Sequence, residues 1–349
     1  MPVQLADSDT DTIGPYARLS ASQFNTYKAC PRLWYYEKVL RFKMPQIPVL
    51  FVGRAVEETI CRVLRESPGL IIGEAPVETY GQPPLDDEGR PTREDGRSWP
   101  ASILLPLDES MIPDNPHDLR EWTLTRAEHH FPLVFERCRK EWEKDERKAG
   151  DWLDVEEEEV LRMVFEGLTF HLREVERCFE AGGGPHLGQW RSGKREEWPA
   201  PDGYQQTDFA RHHPLAAQGD VTWLEAWEIS RPWFVHPDAK PFTMNAIHPE
   251  HWFQGEYDLV YRWDGDITIV DLKASVGAND RSGDYVEQLR MYAMLWYVTH
   301  GRTSQVKSLQ IWYLGHASIK EIPCPSVDEM DEMERELKSL WSELKQEKP

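Results

Sequence analysis

The sequence predicts an α/β protein with a mixed central sheet covered by helices, and three observations support that class. Asp264-Gly265 separates two apolar, β-branched and aromatic runs, Leu259–Trp263 and Ile267–Val270, which is the strongest short-range signature of a β-hairpin. A helical pattern over 283–299 lies between that hairpin and a strand-like run over 305–314. That helix is then a crossover, and the last strand runs parallel to its sheet neighbour. The chain before residue 67 instead carries helical spacing, so helices precede the sheet.

Taken in order, residues 1–17 read as a flexible tail. Ser20 or Ser22 caps a helix carrying Phe24, Tyr27, Leu33 and Tyr36, which Pro31 kinks or divides. A second helix runs from about Val49 to Glu66 and stops at Ser67-Pro68-Gly69. Residues 68–117, rich in Pro, Gly and Asp, read as a long loop with little regular structure. Helices over 118–148 and 152–181, separated by Ala149-Gly150-Asp151, form a helical hairpin. Gly182-Gly183-Gly184-Pro185 opens a second loop-rich stretch to about Asp220. Strands are expected over 221–230, 252–263, 266–273 and 305–314, and a charged amphipathic helix over 326–346. The division is thus a tail (1–17), a helical part of the core (18–67), a loop-rich and helical insertion (68–220), and the core sheet with its C-terminal helix (221–349).

Composition bounds the function. With 349 residues, 40% hydrophobic and 29% charged, the chain has the make-up of a globular protein with room for a full core. No run approaches the roughly 18 apolar residues that span a bilayer, so no membrane partner is expected. The polar N-terminus and five scattered cysteines point to a reducing, cytoplasmic setting. A net charge of −21 opposes nonspecific binding to a polyanion. Basic residues nonetheless gather at Arg32, Lys38, Arg41 and Lys43, and at Arg54, Arg62 and Arg65.

The hairpin carries the chemistry. A two-residue loop opposes Trp263 to Asp266 and, counting outward, Asp258 to Asp271. Lys273 lies two residues beyond Asp271 and shares its face. Directly opposed like charges, with Cβ atoms about 5 Å apart, destabilise a sheet unless something compensates. A hard divalent cation is the simplest compensation. Other acid-x-Lys matches, such as Glu336-Leu337-Lys338, sit in helical runs where i and i+2 diverge.

Four ordered motifs resemble the RecB-like branch of the PD-(D/E)XK nuclease superfamily, which includes helicase–nuclease domains and CRISPR adaptation exonucleases. They are Leu19-Ser20-Ala21-Ser22 with Cys30-Pro31 and Tyr35-Tyr36; Gly53-Arg54-Ala55-Val56-Glu57; Gly255-Glu256-Tyr257-Asp258 with Asp271-Leu272-Lys273; and Gln288-Leu289-Arg290-Met291-Tyr292. The resemblance covers about 19–66 and 221–314 and implies a restriction-endonuclease-like core. It implies that Glu57, Asp258 and Asp271, with the Leu272 carbonyl, hold Mg²⁺ or Mn²⁺, that Lys273 is catalytic, and that Gln288 and Tyr292 position substrate. It further implies DNA with single-stranded or duplex ends as substrate, and a separate helicase or recombination or defence protein as partner, since no phosphate-binding loop is present.

Two departures stand out. Glu57 occupies a position where the branch has His; a carboxylate still suits hard cations, and Glu58 is the alternative should the register slip. Iron–sulfur members use one cysteine near the Cys-Pro site and three near the C-terminus, whereas here Cys30 has only Cys324 as counterpart. No iron–sulfur cluster is expected, and Cys30 reads as a small buried hydrophobe. Tyr292 and Trp296 equally suit core packing, Glu225 and Glu228 read as outer carboxylates on a neighbouring strand, and His129-His130 and His212-His213 as surface residues. The rival functions are a non-catalytic nucleic-acid-binding or scaffold member of the same fold, and a metal-free glycosidase with paired carboxyl groups.

Overall fold

The hairpin around Asp264-Gly265 is present in the computed structural model with the expected register: Leu259 faces Val270, Val260 faces Ile269, and Tyr261 faces Thr268. Its turn is wider than two residues. Trp263 to Asp266 all lie in it, closed by the Gly265 N–H donating to the Arg262 carbonyl at 3.0 Å, with Gly265 at φ +92°. The buried Trp263 ring, whose Nε1 donates to Glu174 at 3.1 Å, holds that residue against a helix rather than in the ladder.

The structure describes residues 16–42, 44–66, 68, 70–74, 102–106, 112–191, 218–232, 244–274 and 282–346. The tail up to residue 15, His212-His213 and most of the two loop-rich stretches lie outside them.

Helix α1 (Ala21–Ala29) starts at Ser20, whose hydroxyl accepts the Gln23 N–H at 3.3 Å, so Ser20 rather than Ser22 is the cap. Pro31 divides the segment as expected: Cys30 is extended, and α2 (Pro31–Trp34) runs on into a π-helical turn, Tyr35–Val39. Cys30 is exposed at this junction and is not the buried hydrophobe expected from its residue type. Helix α3 (Pro48–Arg65) begins on a proline at its first turn and buries Ala55, Val56, Ile60, Val63 and Leu64. Helices α4 (Pro116–Lys144) and α5 (Glu157–Glu180) pack against α3 within one apolar core.

Three expectations fail. Residues 70–74 and 102–106 form an antiparallel pair, β2 (Leu70–Glu74) and β3 (Ser102–Pro106), whose short apolar runs are hidden in a Pro- and Gly-rich composition. Residues 221–230 are not a strand but helix α7 (Trp223–Ser230), which follows the short α6 (Leu187–Arg191). Thr222 and Glu225 close a reciprocal capping box there, and Leu224, Ala226, Trp227 and Ile229 are all buried. A run apolar on every side has no period to distinguish helix from strand. The third is the 252–263 strand, which breaks at Asp258 into β5 (Phe253–Tyr257) and β6 (Leu259–Tyr261), strands of different sheets.

One sheet has the order β1-β5-β4, from β1 (Leu19–Ser20), β5 and β4 (Met244–Ile247). The other is β6-β7-β8-β9, from β6, β7 (Ile267–Lys273), β8 (Val306–Tyr313) and β9 (Ser318–Ile322). Strands β7 and β8 are parallel, joined through α8 (Ser282–Thr299) as the crossover rule requires. Helix α9 (Val327–Gln346) closes the chain against α8.

A buried polar knot ties the helices behind the sheet. Glu66, at the end of α3, accepts Arg126 at 2.7 Å and hydrogen-bonds His130 at 2.7 Å, while its carbonyl takes the Trp227 Nε1–H at 2.9 Å. His130 is therefore buried, contrary to the surface position expected, while its neighbour His129 is exposed. Because a helix end buried without partners is costly, this knot anchors the helix that carries Glu57.

Candidate metal centre

The break at Asp258 builds the site. The β6–β7 ladder ends at Leu259 and Val270, one pair short of the expected Asp258–Asp271 opposition. Asp258 instead sits at the bend, and its Oδ2 accepts the Leu272 N–H at 2.8 Å. Asp271 stays on β7 and is buried, with its Oδ2 in ionic contact with Lys273 Nζ at 2.5 Å, as the shared face of i and i+2 predicts. The Lys273 ammonium also lies 4.5 Å from the Tyr285 ring centroid.

From α8, Gln288 Nε2 donates to the Tyr292 hydroxyl at 2.9 Å and reaches Asp271 Oδ1 at 3.5 Å. Tyr292 is buried as well: its ring covers Gly255, where an added Cβ would meet Tyr292 Cε1 at 3.0 Å and Leu295 Cδ2 at 2.9 Å. Core packing and proximity to the carboxylates thus coexist in Tyr292. Trp296 belongs to the core alone, with its Nε1 on Ser304 at 3.0 Å.

Glu57 enters from α3. Neighbouring Glu58 is held by Arg62 at 2.9 Å and by Arg137. Burial, then Glu256, then Asp271 push the Glu57 carboxyl up to about 7, opposed by Lys273. Burial, Glu57 and Asp271 raise Asp258 well above the usual carboxylate range against Lys273 and the Leu272 amide. Burial likewise raises Asp271 against Lys273. Lys273 stays above its ordinary value despite burial, because Asp271 and Asp258 face it. Three acids and one ammonium share this space, and each acid is costly to ionise.

The donor set fits a hard cation. All three side chains offer carboxylate oxygens, the donors a hard cation takes, and the ion pair of Asp271 Oδ2 with Lys273 leaves the other oxygens of the set to a metal. Their oxygens are not drawn into one tight group. Among the described residues, the acidic or histidine side chains with all ligand atoms within 4.8 Å of one another are His117, Asp118 and Glu121, exposed at the start of α4. There Asp118 is already held by Asn115 at the helix cap.

A family model of the PD-(D/E)XK nuclease superfamily matches residues 18–349. The chain belongs to this superfamily. No curated protein and no solved structure matches it. Nucleases of the PD-(D/E)XK superfamily typically use divalent metals, in keeping with the carboxylate donors present, and its α/β fold is the one seen.

Within the PD-(D/E)XK frame the structure corrects other expectations. Glu225 and Glu228 lie on helix α7, not on a strand, and pair with Arg191 at 2.7 Å and with Arg231. Tyr285 touches Lys273 and Glu256 acts on Glu57, though neither was expected as a site residue. Tyr285 precedes Gln288 by three residues, so helical spacing alone places it on the same face. The influence of Glu256 on Glu57 joins β5 to α3, which no local pattern encodes. Among the described residues, no helix is long and apolar enough to cross a membrane.

Proposed function

We propose that this superfamily member is a Mg²⁺- or Mn²⁺-dependent deoxyribonuclease of the RecB-like branch. In this reading it hydrolyses phosphodiester bonds at DNA ends during repair, recombination or defence, as a cytoplasmic protein working beside a separate helicase or recombination protein. The observation that carries the reading is the convergence of Glu57, Asp258 and Asp271, all raised by burial, around the single Lys273 ammonium. A scaffold protein has no use for three mutually repelling acids set about one ammonium, and a glycosidase needs two carboxyls without an ammonium at 2.5 Å.

Glu57, Asp258 and Asp271, with the Leu272 carbonyl, would hold the metal. When bound, it lowers the pKa of water and offsets charge on the phosphate. The protein's own groups do the rest. Lys273, set by Asp271 and by the Tyr285 ring, places positive charge where the phosphate oxygens gain negative charge. Gln288 fixes the Tyr292 hydroxyl and orients the substrate strand beside Asp271. The 18–67 and 221–349 segments form the nuclease core in this proposal, with 68–220 as an insertion. The test is hydrolysis of end-labelled single- and double-stranded DNA with Mg²⁺, Mn²⁺ or EDTA. Cleavage that survives EDTA, or no cleavage with either metal, refutes the reading.

A further inference from the structure

The segment between α2 and α3 exposes large side chains that a folded surface ordinarily covers. Tyr36 is 46% exposed, Phe42 63% and Leu40 45%, and the Tyr36 and Phe42 rings lie 5.9 Å apart at 39°. The chain is shaped to hold them there. Just past the π-helical turn and its cap Leu40, Arg41 stands at φ +55°, a left-handed conformation normally left to glycine, and the Phe42 N–H returns to the Tyr36 carbonyl at 2.8 Å. An arginine kept in a glycine conformation points to a use for its side chain.

Among the described residues, no carboxylate takes its charge. Arg54, Arg126, Arg162 and Arg302 each hold a carboxylate. Arg32 and Arg41 are exposed and, among the described residues, form no ion pair, in a chain of net charge −21. Among the described residues, Lys38 pairs with Glu37 alone, at 4.0 Å. Aromatic faces interleaved with unneutralised cations suit one polymer: a nucleic-acid strand with its bases unpaired, which stacks on rings and sets its phosphates against Arg and Lys.

The location agrees. On one side Lys28 of α1 pairs at 2.7 Å with Glu287, next to Gln288. On the other, Ile47 and Val49 line a cavity together with Ala274, which follows Lys273. The chain on either side of the segment thus meets α8 beside Gln288 and the end of β7 beyond Lys273.

We propose that Tyr36 and Phe42 form a stacking platform for a single-stranded stretch of substrate, with Arg32, Lys38 and Arg41 on its phosphates. This rests on the nuclease reading and narrows it to unpaired strands. The experiment is fluorescence anisotropy of the full chain in EDTA, with fluorescein-labelled oligothymidylate of about 20 nucleotides and a duplex of equal length. Wild type should bind the single strand more tightly than the duplex. Tyr36→Ala and Phe42→Ala should each weaken single-strand binding by about tenfold or more. Arg41→Gly should weaken it and flatten its salt dependence while the urea midpoint holds or rises, because glycine adopts that backbone freely.

Unchanged single-strand affinity in these variants, or duplex binding as tight as single-strand binding, overturns the platform. So does loss of self-association in the ultracentrifuge with oligonucleotide binding intact, which would make the patch a protein contact. Hydrolysis of the p-nitrophenyl ester of thymidine 5′-phosphate with Mn²⁺ separates the two proposals, since that ester is a single nucleotide with no strand to lay along the platform. If the ester is cleaved but the variants bind oligonucleotide like wild type, the platform falls and the nuclease stands. If wild type cleaves neither ester nor DNA yet binds through Tyr36 and Phe42, the nuclease falls and the surface stands as a single-strand binding site.

Discussion

Replacing Glu57 with Gln isolates the electrostatic cost of the acid cluster. Glutamine keeps the shape and removes the charge. The Glu57 carboxyl rises from its usual 4.5 to about 7, chiefly through burial and then through Glu256 and Asp271. One pKa unit corresponds to about 1.4 kcal/mol, so ionised Glu57 costs the fold up to about 3 kcal/mol, less where water screens it. The sign follows from linkage. Below pH 4.5 the group is neutral folded and unfolded, and there is no penalty. Between 4.5 and about 7 the unfolded chain has lost the proton while the folded one retains it, so stability falls as pH rises, then levels off. Urea unfolding in EDTA should therefore find Glu57→Gln close to wild type near pH 5 and more stable by about 2–3 kcal/mol near pH 8.5. Added Mn²⁺ should reverse the order, stabilising wild type more than the variant by mass action on the ligand set. If Glu57→Gln is less stable than wild type at pH 8.5 in EDTA, or if the difference is the same at both pH values, Glu57 is an ordinary solvent-facing carboxylate and the site loses its third acid.

Three further outcomes are expected. Lys273→Ala should bind Mn²⁺ at least as well as wild type by calorimetry, since a cation beside Asp271 is gone, yet cleave DNA slower by a factor on the order of 10² in single turnover. Asp258→Asn should stay folded, because the amide oxygen can still accept the Leu272 N–H, while cleavage is lost and Mn²⁺ affinity drops; Asp258→Ala should be less stable than Asp258→Asn by about 1 kcal/mol, as that N–H loses its partner. Gly255→Ala should cost about 1–3 kcal/mol in chemical denaturation, because its Cβ would press on Tyr292 at 3.0 Å and on Leu295 at 2.9 Å, and cleavage should fall with it as the Gln288–Tyr292 pair is displaced. A neutral outcome would show that α8 can move off β5 without consequence.

Much of the sheet was legible from the chain alone. The register of β6 against β7 follows from the alternation around Asp264-Gly265, because side chains in strands repeat every two residues and a slip by one would turn the buried set outward. The same period places Lys273 beside Asp271, and the helix between β7 and β8 demands their parallel pairing. Helix ends at Ser20, Pro31 and Pro48 were likewise written locally, in caps and prolines. What the sequence could not specify is where the strand breaks. Nothing in Glu256-Tyr257-Asp258-Leu259 marks a bend; it arises because β5 is drawn to β4 and β1 while β6 is drawn to β7, and the Leu272 amide secures Asp258 between them. Nor could it choose between Glu57 and Glu58, which differ by one helical step. What distinguishes the two is tertiary: Arg137 of α4, 79 residues away, pairs with Glu58, while Glu256 and Asp271 act on Glu57. Short-range patterns determined the elements because backbone geometry is periodic; the candidate site was decided in three dimensions because its charges come from segments that only packing brings together.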